Sequence, residues 1–167
     1  MELLPALGLS IFIGLLILEN YGYGYWMISR PIFAGPLVGF IFGDLPTGLL
    51  VGGTVELMYM GVLPIGGSVP PNAQIAGIIS TVLAITSGGN PEVGIALALP
   101  IGVLAQLLIM LAWNVNIILI HTADKHVLSG NYRAVERIYL CGLLVFFAIF
   151  FTASFLAIYL GSDFVSN

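Results

Sequence analysis

Charge is what this sequence has least of. Of 167 residues, four are Lys or Arg and eight are Asp or Glu, 7% of the chain. A soluble domain carries about 25%, so these side chains cannot cover a water-facing surface of this size. The net charge of −4 provides no basic patch, which excludes nucleic acid as a partner. One cysteine, Cys141, allows neither a disulfide framework nor a zinc spacing; set in an apolar run, it is expected to be a small buried hydrophobe. The N-terminus lacks the basic start and the small-residue cleavage site of a signal peptide. Residues 3 to about 20 therefore read as a retained helix. No Ser or Cys stands in a nucleophile motif, and no phosphate-cradling glycine loop precedes a helix with Lys. His121 and His126, with Asp124 between them, have the wrong spacing for two metal ligands on one helical turn and are expected in a solvated loop. No catalytic set, metal or cofactor is expected in this chain.

What is present is apolar. Hydrophobic residues make up 59% of the chain and the mean hydropathy is +1.10. Hydrocarbon must be the solvent for much of it. With 21 Gly and 9 Pro, the helices are closely packed or interrupted. The fold class expected is all-α: a single polytopic membrane domain over 1–167, with four full spans and a broken-helix hairpin. The first span occupies 1–30, where Leu3 to Leu18 is extended by interfacial Tyr21, Tyr23, Tyr25 and Trp26 beside Arg30. Ile32 to Gly43 and Leu49 to Leu63 are each too short to cross. The turn Gly43-Asp44-Leu45-Pro46-Thr47-Gly48 joins them, so 31–63 reads as a re-entrant hairpin or a pair of tilted short helices. Irregular backbone at that depth must be covered by protein or line a cavity. Segment 64–120 then holds the broken stretch Pro64 to Asn72 and two spans, Ala73 to Thr86 and Val93 to Ile120. A hydrophilic loop follows at 121–137, and the last span and tail fill 138–167. Lys125, Arg133 and Arg137 place that loop, with Arg30, on the cytoplasmic side. The 88–92 turn and both termini then lie outside.

Glu56 is the main candidate site residue, because a carboxylate near mid-membrane costs about 2.5–3.5 kcal/mol on insertion scales. Helical spacing places Gly52, Gly53, Tyr59 and Met60 on its face. The glycines admit a ligand or a second backbone, and Tyr59 offers a ring and a hydroxyl. Such a pair suits a polyhydroxylated ligand; the other reading of Glu56 is a cap on backbone donors of the hairpin. Asn72 and Gln74 carry the donors and acceptors that sugar hydroxyls require, at a helix break of the kind transporters use. Asn72 also reads as a plain N-cap. Gly66 and Gly67 relax the backbone of the broken stretch, and Asp44 supplies turn chemistry. Gln106 lies deep in the 93–120 span as a further ligand contact. Asn114 and Asn116 are about 200° apart on a helix, and at least one is expected to bond between helices.

Taken together, several segments closely resemble the IIC component of mannose/fructose/sorbose-family sugar phosphotransferase systems. They are Arg30-Pro31 with the run to Gly43-Asp44, Thr47-Gly48, and Gly52-Gly53-Thr54-Val55-Glu56-Leu57. The likeness continues through Ile65-Gly66-Gly67, Pro71, Ile75 to Thr81, Gly94 to Pro100 and Gln106. It extends to His121-Thr122-Ala123-Asp124-Lys125 with Gly130-Asn131 and covers roughly residues 30 to 140. The resemblance implies a sugar-translocating subunit of the bacterial cytoplasmic (inner) membrane that acts in an oligomer with a IID-like membrane subunit. Cytoplasmic IIA and IIB phosphocarrier proteins would relay phosphate from phosphoenolpyruvate to the entering sugar, so the histidines here need no catalytic role and the chain is no enzyme by itself. Family members continue through further spans, which implies a short, split or truncated member. Asn72 stands where an acidic residue is expected after Pro71. The alternatives are a small-solute carrier or substrate-capture subunit without phosphotransfer, and a non-transporting structural subunit.

Overall fold

A computed structural model describes residues 3–22, 24 and 26–165. They form six helices: α1 (Leu3–Tyr21), α2 (Pro31–Phe42), α3 (Leu45–Tyr59), α4 (Ala73–Thr86), α5 (Pro91–Leu128) and α6 (Tyr132–Val165). Tyr23 and Tyr25, two of the expected interfacial aromatics, lie outside the described residues, whereas Trp26 is exposed.

Local chemistry sets the helix ends. Pro31 opens α2 with its φ preset, and the Arg30 carbonyl accepts from the Phe33 and Ala34 amides. Gly43 closes α2 in the left-handed region at φ +77, where a side chain would be strained. One residue later the Asp44 carboxylate accepts from the Thr47 amide at 3.2 Å and starts α3. A stop and a start thus sit on adjacent residues, and the two helices fold back on each other. Their contact is made of backbone. A Cβ on Gly39 would lie 2.9 Å from the Gly48 Cα, and one on Gly35 would lie 2.6 Å from the Gly52 Cα.

α4 is the central helix, with every residue from Ile75 to Ala84 buried. α2 and α3 pack on it, and α5 runs antiparallel beside it. α1 and α6 pair antiparallel: Tyr21 stacks on Phe146, and Gly14 leaves room for the Phe147 ring. The main core joins α1, α2, α4, α5 and α6 around Ile13, Ile17, Val38, Ile78 and Phe150.

Helix length supports two of the four expected spans directly. At 1.5 Å per residue, α5 and α6 reach about 57 and 51 Å, well beyond an apolar core of about 30 Å. Both contain windows of mean hydropathy 2.5 of which only 28% is buried, so their apolar surface faces a nonaqueous medium or a partner. α4 has 14 residues, about 21 Å, too short to cross alone. The breakers before Ala73 and after Thr86 impose that limit. The tip of the α2–α3 hairpin reaches the level of the α4–α5 turn, with Asp44 Oδ2 3.2 Å from where a Cβ on Gly89 would sit. The expected 121–137 loop is corrected: α5 continues to Leu128, α6 begins at Tyr132, and only Ser129, Gly130 and Asn131 turn. Charge lowers hydropathy there but does not break a helix; Gly130, at φ +70, does. Cys141, expected to be buried, is exposed on α6.

Gly52 and Gly53 offer a matched test. A Cβ on Gly52 would lie 2.5 Å from the Pro31 carbonyl oxygen, whereas one on Gly53 meets nothing within 4 Å. Gly52→Ala should lower stability by about 1–3 kcal/mol through forced separation of α2 and α3. Gly53→Ala should be neutral, or stabilising by up to about 1 kcal/mol. Thermal unfolding of the two variants in detergent makes the comparison, and equal shifts would show that the close approach is not limiting.

Candidate functional site

Four helix ends meet at one side of the bundle: the C-termini of α1 and α3 and the N-termini of α2 and α4. With the side of α5 they enclose a cleft of about 400 Å³, in the range of small-molecule sites. α5 runs a further 15 residues past Trp113, the last cleft residue on it, so the α5–α6 hairpin projects about 22 Å beyond the cleft. Arg30 and the basic residues Lys125, Arg133 and Arg137 therefore lie toward the same end of the molecule.

The irregular stretch between α3 and α4 forms one wall through Val62, Pro64 and Val69 to Asn72. Its backbone polar groups need partners, and α5 provides two. The Asn72 amide donates to the Gly102 carbonyl at 2.9 Å, and the Gln106 side chain donates to the Val69 carbonyl. Gln106, expected as a ligand contact, is thereby a brace behind the wall and does not line the cleft.

Glu56 lines the cleft with its side chain only 12% exposed and forms an ion pair with Arg30. The Ile32 amide donates weakly to its Oε2 at 3.4 Å. Glu56 therefore sits at the N-terminus of α2, where the helix dipole favours an anion. It satisfies a hairpin donor, as one of its two readings expects, and it also faces the cavity. Asn72 is likewise both an N-cap, its Oδ1 accepting from the Ile75 amide at 2.8 Å, and a cleft residue. Gln74 Oε1 accepts from Asn20 Nδ2 at 3.1 Å and more distantly from Asn72 Nδ2 at 3.5 Å. The Gln74 Nε2 protons have no partner among the described residues.

Tyr59 borders the cleft, but its ring is buried and its hydroxyl donates to the Ala98 carbonyl at 3.0 Å. The hydroxyl occupies the space a Cβ on Gly102 would fill, so Tyr59 locks α3 to α5. The more open aromatic surface in the cleft belongs to Trp113. Of the glycines, Gly52 packs against α2, Gly53 faces open space, and Gly66 and Gly67 lie exposed in the Ile65–Ser68 turn; none lines the cleft. Asp44 caps α3 at the opposite end of the hairpin. Asn114 and Asn116 donate to the carbonyls four residues back in α5. The expected bond between helices is replaced, for Asn116, by close approach of its Oδ1 to Gly142 of α6.

Sequence reading missed Glu19, Asn20, Arg30 and Trp113 as cleft residues. Trp113 carried a usable signal, since it lies seven residues, two helical turns, after Gln106. Arg30 and Glu56 are 26 residues apart, and no local pattern joins them.

A family model described as the sorbose-specific IIC component of phosphotransferase (PTS) systems matches residues 3–167. A candidate N-acetylgalactosamine permease IIC component of Escherichia coli is 44% identical over 110 residues, covering 66% of this chain and 80% of that protein. The mannose-specific EIIC component of Escherichia coli is 37% identical over 120 residues, 72% of this chain and 45% of that one. The fructose permease IIC component of Bacillus subtilis is 36% identical over 69% of this chain and 43% of its own length. The chain thus spans less than half of these last two relatives. Among solved structures, the mannose transporter ManYZ, determined by cryo-EM in complex with a microcin, superposes with a TM-score of 0.81 at 29% identity. That match covers 95% of this chain and 64% of the other.

The ion pair can be tested by a double-mutant cycle with Arg30→Gln and Glu56→Gln. With Arg30 43% exposed, a coupling energy on the order of 1 kcal/mol in unfolding stability is expected; strict additivity would show that the contact carries no energy. Gly102→Ala should cost more than Tyr59→Phe, because it displaces the ring as well as removing the hydroxyl's bond. Detergent melting curves of the two variants provide that comparison.

Proposed function

The chain belongs to the sorbose-type IIC family of sugar phosphotransferase permeases, and from that premise we propose that its cleft binds a hexose-type sugar for uptake coupled to phosphorylation. The observation that carries this reading is the set of groups converging on the cleft. Asn20, Asn72, Gln74 and Glu56 offer donors and acceptors, and Trp113 offers a flat apolar face. A sugar ring needs both: its hydroxyls donate and accept, and its C–H faces pack on aromatic rings.

In this reading Glu56 accepts hydroxyl protons, while Asn72 and Gln74 use the polar atoms left after capping and bridging. Tyr59 and Gln106 act one layer back, holding α3 and the irregular wall in register with α5. Two helix N-termini, those of α2 and α4, aim their partial positive charge at the cavity, an arrangement suited to polar solutes at a helix break.

The membrane arrangement follows from the same proposal. α1, α5 and α6 cross the bilayer. α4 completes a fourth crossing together with the irregular stretch before it, and the α2–α3 hairpin lies at membrane depth without crossing. Arg30 and the 121–137 region face the cytoplasm of a bacterial inner membrane. There a IID-like subunit and IIA and IIB phosphocarriers complete the system, and capture of the sugar as its phosphate makes uptake directional.

Glu56→Gln in the assembled membrane complex should weaken sugar binding and phosphoenolpyruvate-dependent uptake at least tenfold. Unchanged affinity and uptake would remove Glu56 from the site. Uptake independent of phosphoenolpyruvate would identify a solute carrier outside phosphotransfer. Co-purification with a IID-like protein, without loss of uptake on deletion, would identify a structural subunit.

A further inference from the structure

A second cavity, of about 430 Å³, lies at the far end of the projecting α5–α6 hairpin. Thr122 and His126, one turn apart on α5, line one side of it, and Arg133, Arg137 and Ile138 of α6 line the other. Asn131 lines it from the turn between the helices. No acid does: Asp124 and Glu136, the acidic residues of this stretch, lie outside it.

The arginines stand where a helix does not favour them. Arg133 lies in the first turn of α6, which holds no acid, and the dipole there opposes a cation. Arg137 follows at the i, i+4 spacing, so the two charges repel each other. Neither guanidinium has a hydrogen-bond or ion-pair partner among the described residues. Asn131 Oδ1 accepts from the Ala134 amide at 3.3 Å, which leaves its Nδ2 protons to the cavity. Thr122 has no donor to spare, because its hydroxyl donates to the Ile118 carbonyl at 3.1 Å.

We propose that this cavity binds a phosphate group. The proposal is independent of the sugar reading of the cleft. Two guanidinium forks, the His126 ring and the Asn131 amide approach from two helices and a turn. A planar carboxylate matches one fork, whereas the tetrahedral oxygens of a phosphate meet donors from several sides. The anion also offsets the repulsion between the arginines and complements the N-terminal end of α6. The cavity sits where the apolar surface stops. Cys141 and Leu144 follow Arg137 by one and two turns, Ile118 precedes Thr122 by one, and all three are exposed. The phosphate can therefore come from an anionic phospholipid, its acyl chains lying along that line, or from a soluble phosphate ester.

The test uses the full chain in a nonionic detergent and has two arms. Native mass spectrometry compares retention of added phosphatidylglycerol and phosphatidylcholine. Phosphorus NMR titration follows inorganic phosphate and glycerophosphate. The wild-type protein should retain the anionic lipid about tenfold over the zwitterionic one, or bind the soluble phosphates saturably. Either result supports the site, and the arm that responds names the source. Arg133→Gln and Arg137→Gln should each weaken that response about tenfold; both residues are exposed, so the fold should tolerate the change. Lys125→Gln removes an equal charge outside the cavity and should alter the response less than about twofold at moderate salt. No response from the wild-type protein in either arm would overturn the proposal without any variant. An equal loss in Lys125→Gln and the arginine variants would also overturn it, because it would reveal diffuse attraction to the surface.

Discussion

The structure depends on satisfying the backbone between α3 and α4. Residues 60–72 leave the helix with Pro64, Pro70 and Pro71 among them, and free amides and carbonyls at this depth in an apolar protein are costly. α5 meets the cost at two points: the Gly102 carbonyl takes the Asn72 amide, and Gln106 reaches the Val69 carbonyl. Gly102 serves twice, because its missing Cβ also admits the Tyr59 hydroxyl on its way to Ala98. α3, the irregular wall and α4 are thus registered against one helix. The cleft lies between that wall and the end of α1.

Within the cleft, position decides what each charged or polar group can do. Glu56 and Glu19 are the same residue type at opposite kinds of helix end. At the start of α2 a carboxylate finds donors and a base; at the end of α1 it finds one amide and an opposing dipole. The amides form a third arrangement. Gln74 bridges toward Asn20 on α1 and Asn72 at the start of α4, so the site is tied across elements far apart in sequence.

Local signals in the sequence carried the parts of the fold that local chemistry determines. Gly43-Asp44 with Pro46 marks a helix stop and restart, and Asn72 marks the start of α4; both stand in the structure. The all-helical class follows from the scarcity of charge and the long apolar runs. Elsewhere the local pattern is incomplete. Polarity predicts a loop over 121–137, yet helix formation there is governed by Gly130, at φ +70, and the absence of Pro. Helical spacing from Glu56 points Tyr59 toward a ligand, and depth in the span does the same for Gln106. Their hydrogen bonds go to backbone carbonyls on another segment, which no pattern in their own segment reveals. Glu19, Asn20 and Arg30 sit at the ends of elements, and their importance comes from the convergence of those ends.

The α2–α3 hairpin has a consequence for how its surface can vary. Its two helices touch through Gly35, Gly39, Gly48 and Gly52, so their spacing is set by peptide groups and not by interlocking side chains. Phe33, Leu37, Phe40, Leu49, Leu50 and Leu57 point away and are exposed. Exchange of these outer residues for other apolar ones leaves the internal geometry of the hairpin untouched. One rigid element can therefore wear different coats, suited to different lipids or neighbouring subunits, while it holds Arg30 and Glu56 in the same place.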